Sequence, residues 1–330
     1  MLKPEADTAE QSGNDSTPVD PAFRADVLAG LSLEPKAIQA RWLYDHRGSE
    51  LFEDITDVPE YYPTRTETAL LRETCPKVAE IAGKGRAVVE FGSGSSAKTP
   101  ILLEASDPSA YVPIDISGDF LRASADALRD TFPALPIHPV EGDFLKPIAL
   151  PESVRDVPKL GFFPGSTIGN MTATAGVDLL RAMRTSLGEG SLLLIGMDRV
   201  KDPSILIPAY DDAGGVTAEF NLNLLRRINR ELDGDIPVDA FRHKAVWNDN
   251  LARVEMHLEA LEDVDFTVCG QHFAMKAGET IHTENSHKYG PRDARLLLRS
   301  GNWTPIAEWT DARDWFALIL AEAKPVRPAP

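Results

Sequence analysis
The sequence predicts an α/β protein: a Rossmann-like, mostly parallel sheet joined by a second, α+β unit. Three observations carry this. Short apolar strands alternate with helical stretches from about residue 64 to 199, the pattern of βαβ units. A glycine-rich loop, FGSGSSAKT, follows directly on the first strong strand, AVVEF, and opens a helix. From about 200 to 288 the alternation stops and period-two strand text takes over.

Taken in order, residues 1–19 are polar and acidic and offer almost nothing apolar to bury, so disorder is expected there. Residues 20–60 read as helices. Pro59 and Pro63 then bracket two tyrosines in PEYYPTRTE and mark a break. A helix, ETALLRETCPKVAEIA, leads to AVVEF, and the strands that follow are short and apolar, as expected where both faces are covered. After the loop come a helix from about Lys98 to Ala105, the strand AYVPID and the helix GDFLRASADALRDTF. IHPVEGDF and LGFFPGST read as strand ends, followed by a helix from about Ala173 to Leu187 and the strand SLLLIGMD. The second unit starts with helical GGVTAEFNLNLLRRINRELD and continues as an antiparallel set: FRHKAVWN, ARVEMHLEAL, DFTVCGQHFAM and ETIHTENSHKY. The tail reads helix, strand, helix over ARLLLRSG, WTPIAEWTD and ARDWFALIL, and is expected to rejoin the first sheet.

The 330 residues suggest about two domains. A formal net charge of -17, with no Lys/Arg cluster to offset it, repels phosphate backbones and argues against nucleic acid as a partner. No run of about 18 apolar residues suggests a membrane span, and the N-terminus has no basic start followed by an apolar stretch. A cytoplasmic protein with no membrane partner is expected. Cys75 and Cys269 lack CxxC spacing, so two reduced thiols are expected rather than a disulfide or a thiolate metal site.

The glycine loop fits two nucleotide motifs. Gly92, Gly94 and Ala97 match the dinucleotide fingerprint G-x-G-x-x-G/A; Gly92 through Thr99 match the phosphate loop except that Ala97 stands where its last glycine belongs. That methyl is poorly placed where backbone N–H groups must close on phosphate. Asp115, ending AYVPID, suits a ribose diol but does not discriminate among adenosine cofactors. Asp143-Phe144, ending EGDF, supplies an acceptor for an adenine amine and a ring to pack on the base. Glu90, two residues before Gly92, is poor company for pyrophosphate and good company for a cation. S-adenosylmethionine has the ribose, the adenine, no phosphate and a sulfonium, and fits this set best. A nicotinamide dinucleotide stays open on the loop alone.

The stretches WLYDHRGSELFEDITDVPEYYPTRTE, EFGSGSSAKT, YVPIDIS, EGDF, FFPGSTIGN, AYDDAGGVTAEFNLNLLRRINREL and TENSHKY run from about 20 to 320. In them the chain resembles the L-histidine N-alpha-methyltransferases of ergothioneine biosynthesis. The resemblance implies an S-adenosylmethionine-dependent methyltransferase domain, 66–199 and 289–323, and a substrate-binding domain, 20–65 and 200–288. It implies trimethylation of the α-amine of L-histidine to hercynine, with no metal, in a monomer. Cofactor contacts fall on Gly92, Lys98, Asp115, Asp143 and Phe144. Substrate contacts fall on Tyr61, Asn170, Tyr210, Met256, Glu284, Asn285 and Ser286. Asn285 stands where the family usually has an apolar residue. Tyr44 and Tyr61 are implied close to the reacting amine, where their rings could tolerate a methylated cation. Methyl transfer to another amino acid or small amine is the alternative.

If HTENSH is an ideal strand, His282, Glu284 and Ser286 share one face and His287 points to the other. A carboxylate can accept an imidazole N–H while a hydroxyl serves the second nitrogen. His282, Glu284 and His287 make a poor metal set on this reading, because His287 faces away and no third ligand is evident. Asn170 and Tyr210 are expected to donate to the substrate carboxylate.

Overall fold
The computed structural model describes residues 20–94 and 97–324; the first 19 residues lie outside that range. Its larger sheet has the strand order β12-β13-β6-β5-β2-β3-β4. These strands are β2 (Ala87–Phe91), β3 (Ala110–Asp115), β4 (Val140–Glu141), β5 (Lys159–Phe163), β6 (Leu192–Asp198), β12 (Thr304–Thr310) and β13 (Phe316–Glu322). The five from β6 to β4 pair in parallel, while β13 and β12 add antiparallel at one edge. Every residue of β2, β5 and β6 is buried, which is why these strands read as mostly apolar, with Glu90, Lys159 and Asp198 as the charged exceptions. The expected α/β fold with a Rossmann-like sheet is therefore observed.

The tail rejoins this sheet, with one correction. ARDWFALIL was expected to close as a helix, but Phe316–Glu322 is strand β13, inserted between β12 and β6. All its residues but the last are buried. A short apolar run without period carries no signal that separates a central strand from a buried helix.

A second, four-stranded sheet has the order β1-β11-β8-β7, from β1 (Lys36–Ala37), β7 (Phe241–Asn248), β8 (Arg253–Ala260) and β11 (Thr280–His287). DFTVCGQHFAM, expected as one strand, is a hairpin of β9 (Val264–Val268) and β10 (Gln271–Met275). Its turn places Cys269 at φ 51 and Gly270 at φ 75, the two positive angles that a tight hairpin turn demands. The helices Pro21–Leu31, His46–Asp57 and Val216–Glu231 pack with this sheet around one hydrophobic cluster that includes Phe23, Leu43, Phe220, Leu224 and Leu258. Two further clusters lie on opposite faces of the larger sheet, and successive residues of β2 alternate between them. Cys75 and Cys269 are free thiols, and burial pushes Cys75 up to about 12. Among the described residues no helix is long and apolar enough to cross a membrane.

The two sheets meet where β6 ends. Tyr289, just beyond β11, donates its N–H to the carbonyl of Asp198 at 2.9 Å. The turn after β5 presses on the same strand. A Cβ added at Gly169 would lie 2.8 Å from the carbonyl oxygen of His287, so only glycine permits this approach. Both contacts bring the smaller sheet over the carboxyl ends of the parallel strands, where open α/β sheets gather ligands.

Candidate active site
A row of polar residues follows the carboxyl ends of adjacent strands: the glycine loop after β2, Asp115 on β3, Asp143-Phe144 after β4, Asn170 after β5 and Asp198 on β6. The loop is shaped for close approach. Gly92 has φ 70 and Gly94 φ 48. Asp115 secures it, accepting from Gly94 N at 3.1 Å through one oxygen and from Ser117 N at 3.0 Å through the other. The Phe144 ring lies against Gly92, with its edge 3.3 Å from where a Cβ would sit. Asp143 accepts from Leu145 N at 3.0 Å. Lys98 reaches Glu67, a fully buried carboxylate on the helix Tyr62–Ala82, at 2.5 Å. Glu67 also accepts from Gly165 N, so it ties Lys98, after the glycine loop, to the turn after β5.

Glu90 does not play the part its position suggested. Its carboxyl is 2% exposed and accepts from Thr99 and Tyr111 through a single oxygen, beneath the loop rather than open to a cation. Burial pushes it up to about 7. Its service is to hold the helix that the loop opens.

Over this row the smaller sheet supplies two groups of side chains. In the first, Glu284 Oε1 accepts from Asn170 Nδ2 at 3.0 Å and from the Tyr44 hydroxyl at 3.3 Å, while Oε2 is left to accept another N–H. Burial pushes the Glu284 carboxyl up to about 7. Met256 lies opposite Glu284 in the β8–β11 register. Burial, then the nearby Glu284 charge, holds the Tyr44 phenol well above its ordinary value. Tyr61 is raised likewise, chiefly by burial. Both keep their protons at neutral pH, so neither is a phenolate base.

The second group centres on Lys288, whose side chain is fully buried. Its ammonium donates to the Tyr210 hydroxyl at 2.6 Å and Ser286 Oγ at 2.8 Å, and pairs with Asp198 at 2.8 Å. Tyr210 and Ser286 are themselves 2.8 Å apart. Asp198 also pairs with buried Lys201 and accepts from the Tyr62 hydroxyl. Burial works to raise the Asp198 carboxyl, but the two ammonium groups win and hold it below its ordinary value. Burial lowers Lys201 to about 8. Two lysine side chains thus converge on one buried carboxylate. Tyr61 packs edge-on against Tyr210, ring centroids 6.0 Å apart. His243 accepts from Asn221 at Nδ1, so its Nε2–H donates to the Tyr210 carbonyl at 2.7 Å and steadies that loop.

These geometries correct the reading of HTENSH. The β8–β11 register runs His282 opposite His257 and then Glu284 opposite Met256, so Thr283 is an extra, bulged residue. Glu284 and Ser286 share the buried inner face with Met256 and Val254. His282, Asn285 and His287 fall together on the other face, opposite His257, Glu255 and Arg253. Asn285 is therefore the one expected substrate residue whose side chain is turned away, and the Asn285 amide interacts with His282 instead. Ser286 Oγ lies in hydrogen-bond contact with Tyr210 and Lys288, whereas Glu284 accepts from Asn170 and Tyr44. Asn170 goes with Glu284 rather than with Tyr210. Lys288 and Asp198 were not singled out as substrate groups, although Lys288 continues the alternation of Glu284 and Ser286.

A glycine loop, an acid at the next strand end and a ring over the loop are features that suit an S-adenosylmethionine-dependent methyltransferase. The family described as "Histidine-specific methyltransferase, SAM-dependent" matches residues 23–323, and the chain belongs to it. It is 42% identical over 311 residues to histidine N-alpha-methyltransferase of Mycobacterium tuberculosis (strain CDC 1551 / Oshkosh), covering 91% of this chain and 94% of that one. Identity to histidine N-alpha-methyltransferase of Mycolicibacterium smegmatis is 40% over 310 residues, again 91% and 94% of the two chains. Ergothioneine biosynthesis protein 1 of Neurospora crassa is 28% identical over 306 residues, 88% of this chain and 34% of that protein.

Proposed function
We propose that this enzyme moves three methyl groups in turn from S-adenosylmethionine to the α-amine of L-histidine, giving hercynine, the first step of ergothioneine biosynthesis. The observation that carries the reading is the pair of unlike groups at the two ends of one site. The hydroxyls of Tyr210 and Ser286, both bonded to the Lys288 side chain, suit a carboxylate. A buried acceptor, Glu284, suits an imidazole N–H. Between them Asn170 has spent its amide N–H on Glu284, which leaves its oxygen for the substrate amine. We assign Gly92, Lys98, Asp115, Asp143 and Phe144 to the cofactor, and Tyr44, Tyr61 and Met256 to the wall around the amine and ring. Two domains, divided as the sequence suggests, fit the separate cores, and a single chain carries all these groups.

S-adenosylmethionine, when bound, supplies a methyl on a sulfonium that leaves as a neutral thioether. The attacking amine must be unprotonated, so the ammonium of the bound amino acid, and that of each monomethyl and dimethyl product, must first release a proton to water. With Tyr44 and Tyr61 protonated, the protein's part is alignment of amine, methyl and sulfur rather than strong base catalysis. The two aromatic rings also accommodate the quaternary ammonium that forms. A polar site fitted to imidazole discriminates against amino acids that would strand its buried groups.

The test is mass spectrometry of products from S-adenosylmethionine and an equimolar mixture of the common amino acids. Histidine alone should gain one, two and three methyl groups; methylation of a different amino acid sinks the substrate assignment. In calorimetric titrations Glu284→Ala should weaken histidine far more than S-adenosylhomocysteine, and equal losses would remove Glu284 from the substrate site.

A further inference from the structure
The geometry points to a binding site for a divalent transition-metal ion of the Zn2+ type, made by Glu255, His257 and His282 on the face of the smaller sheet turned away from the substrate site. One ligand atom from each of the three can be chosen so that all lie within 4.8 Å of one another. The bulge at Thr283 creates this set. It keeps His282 directly opposite His257 while Glu284, two residues on, faces the other way. The two imidazoles stack with centroids 4.9 Å apart.

Glu255 is set up as a ligand by its other neighbours. Arg253 and Asn248 both donate to Oε1, while Oε2 lies 3.2 Å from His257 Nε2. Metal–ligand lengths of about 2.0–2.1 Å give a tetrahedral edge of roughly 3.3 Å, so this oxygen and nitrogen are already spaced as two ligands of one ion. The nearest cations do not compete for that oxygen, since Arg253 holds Oε1 and Lys244 pairs with Glu259. Two imidazoles and one carboxylate are the donor set that suits zinc, with room for water as a further ligand. To ligate, His282 must turn from its contacts with the Glu284 carbonyl, 3.1 Å from Nε2, and with the Asn285 amide.

The experiment uses the full chain without any tag, stripped with a chelator and titrated with Zn2+ against a chromophoric competitor. One Zn2+ should bind per chain. His257→Ala and His282→Gln should each weaken it by about tenfold or more, with thermal melts and S-adenosylhomocysteine binding like wild type. Titration with Co2+ adds a readout independent of affinity: visible d–d bands in wild type that either substitution abolishes. Wild-type binding no tighter than that of the double variant overturns the site. So does affinity retained in both single variants, which would move the ion to another pair such as His272 with Asp265.

Discussion
Replacing Lys288 by Met separates the role of charge from the role of shape in the cluster proposed for the substrate carboxylate. The lysine's three contacts go to Tyr210, Ser286 and Asp198, so it serves a substrate by orienting two hydroxyls and charging the space in front of them. A carboxylate bonded to either hydroxyl would lie about 4–5 Å from the ammonium, an attraction of roughly 3–4 kcal/mol at an effective dielectric near 20. Desolvation reduces that, and a charge-assisted hydrogen bond nets about 1.5–3 kcal/mol, or about ten- to a hundredfold in affinity. Methionine fills similar volume. Asp198 keeps its pairing with Lys201, so no lone charge is left in the core. Calorimetry with saturating S-adenosylhomocysteine should show histidine weakened by that factor, and the cofactor product unaffected. Histamine, which has no carboxylate, should bind wild type and variant alike. Superimposable histidine titrations, or an equal loss for histamine, would refute the carboxylate assignment.

Asp115→Asn should weaken S-adenosylhomocysteine by about ten- to a hundredfold, read by calorimetry, because the ionised acceptor that also fixes Gly94 N is lost. Gly92→Ala should lower both cofactor affinity and melting temperature: a left-handed φ of 70 costs alanine about 1–2 kcal/mol, and the added methyl meets Phe144. Glu90→Gln should stabilise the ligand-free protein at about pH 8, by up to about 3 kcal/mol, and change little at about pH 4. The carboxyl titrates at about 7 in the fold against 4.5 in the open chain, so folding takes up a proton in that window. Its stabilising contribution is full below 4.5 and is lost as pH climbs through about 7, which urea melts of both proteins across the range would show.

The row of polar residues along the strand ends was legible because Gly92, Asp115 and Asp143 lie at or just past the ends of β2, β3 and β4, and a parallel sheet lines up its carboxyl ends. Gly92, Asp115 and Asp143 needed only strand order to be brought together. The substrate half depended on one residue that alternation cannot reveal. With Thr283 bulged, the period-two reading holds from Glu284 to Lys288 and fails between His282 and Glu284. This turned Asn285 and His287 to the side of His282 and freed Glu284 for the pocket. Lys288 was hidden for another reason: a lysine at the end of a polar strand ordinarily reaches water. Here Asp198, more than 80 positions earlier, makes its burial tolerable.

The turn after β5 is where the halves become one enzyme. Gly165 is held by Glu67, the partner of Lys98 in the cofactor loop. Four residues on, Gly169 lies against the backbone of His287, and Asn170 donates to Glu284. A displacement of this turn would therefore move Lys98 and Glu284 together. The charges point the same way. On the proposed reading the Tyr210 and Ser286 hydroxyls beside Lys288 draw the α-carboxylate, and Glu284 holds the imidazole. An amino acid fixed at both ends has one direction left for its amine, toward the carboxyl ends of β2 and β5, where the methyl donor lies.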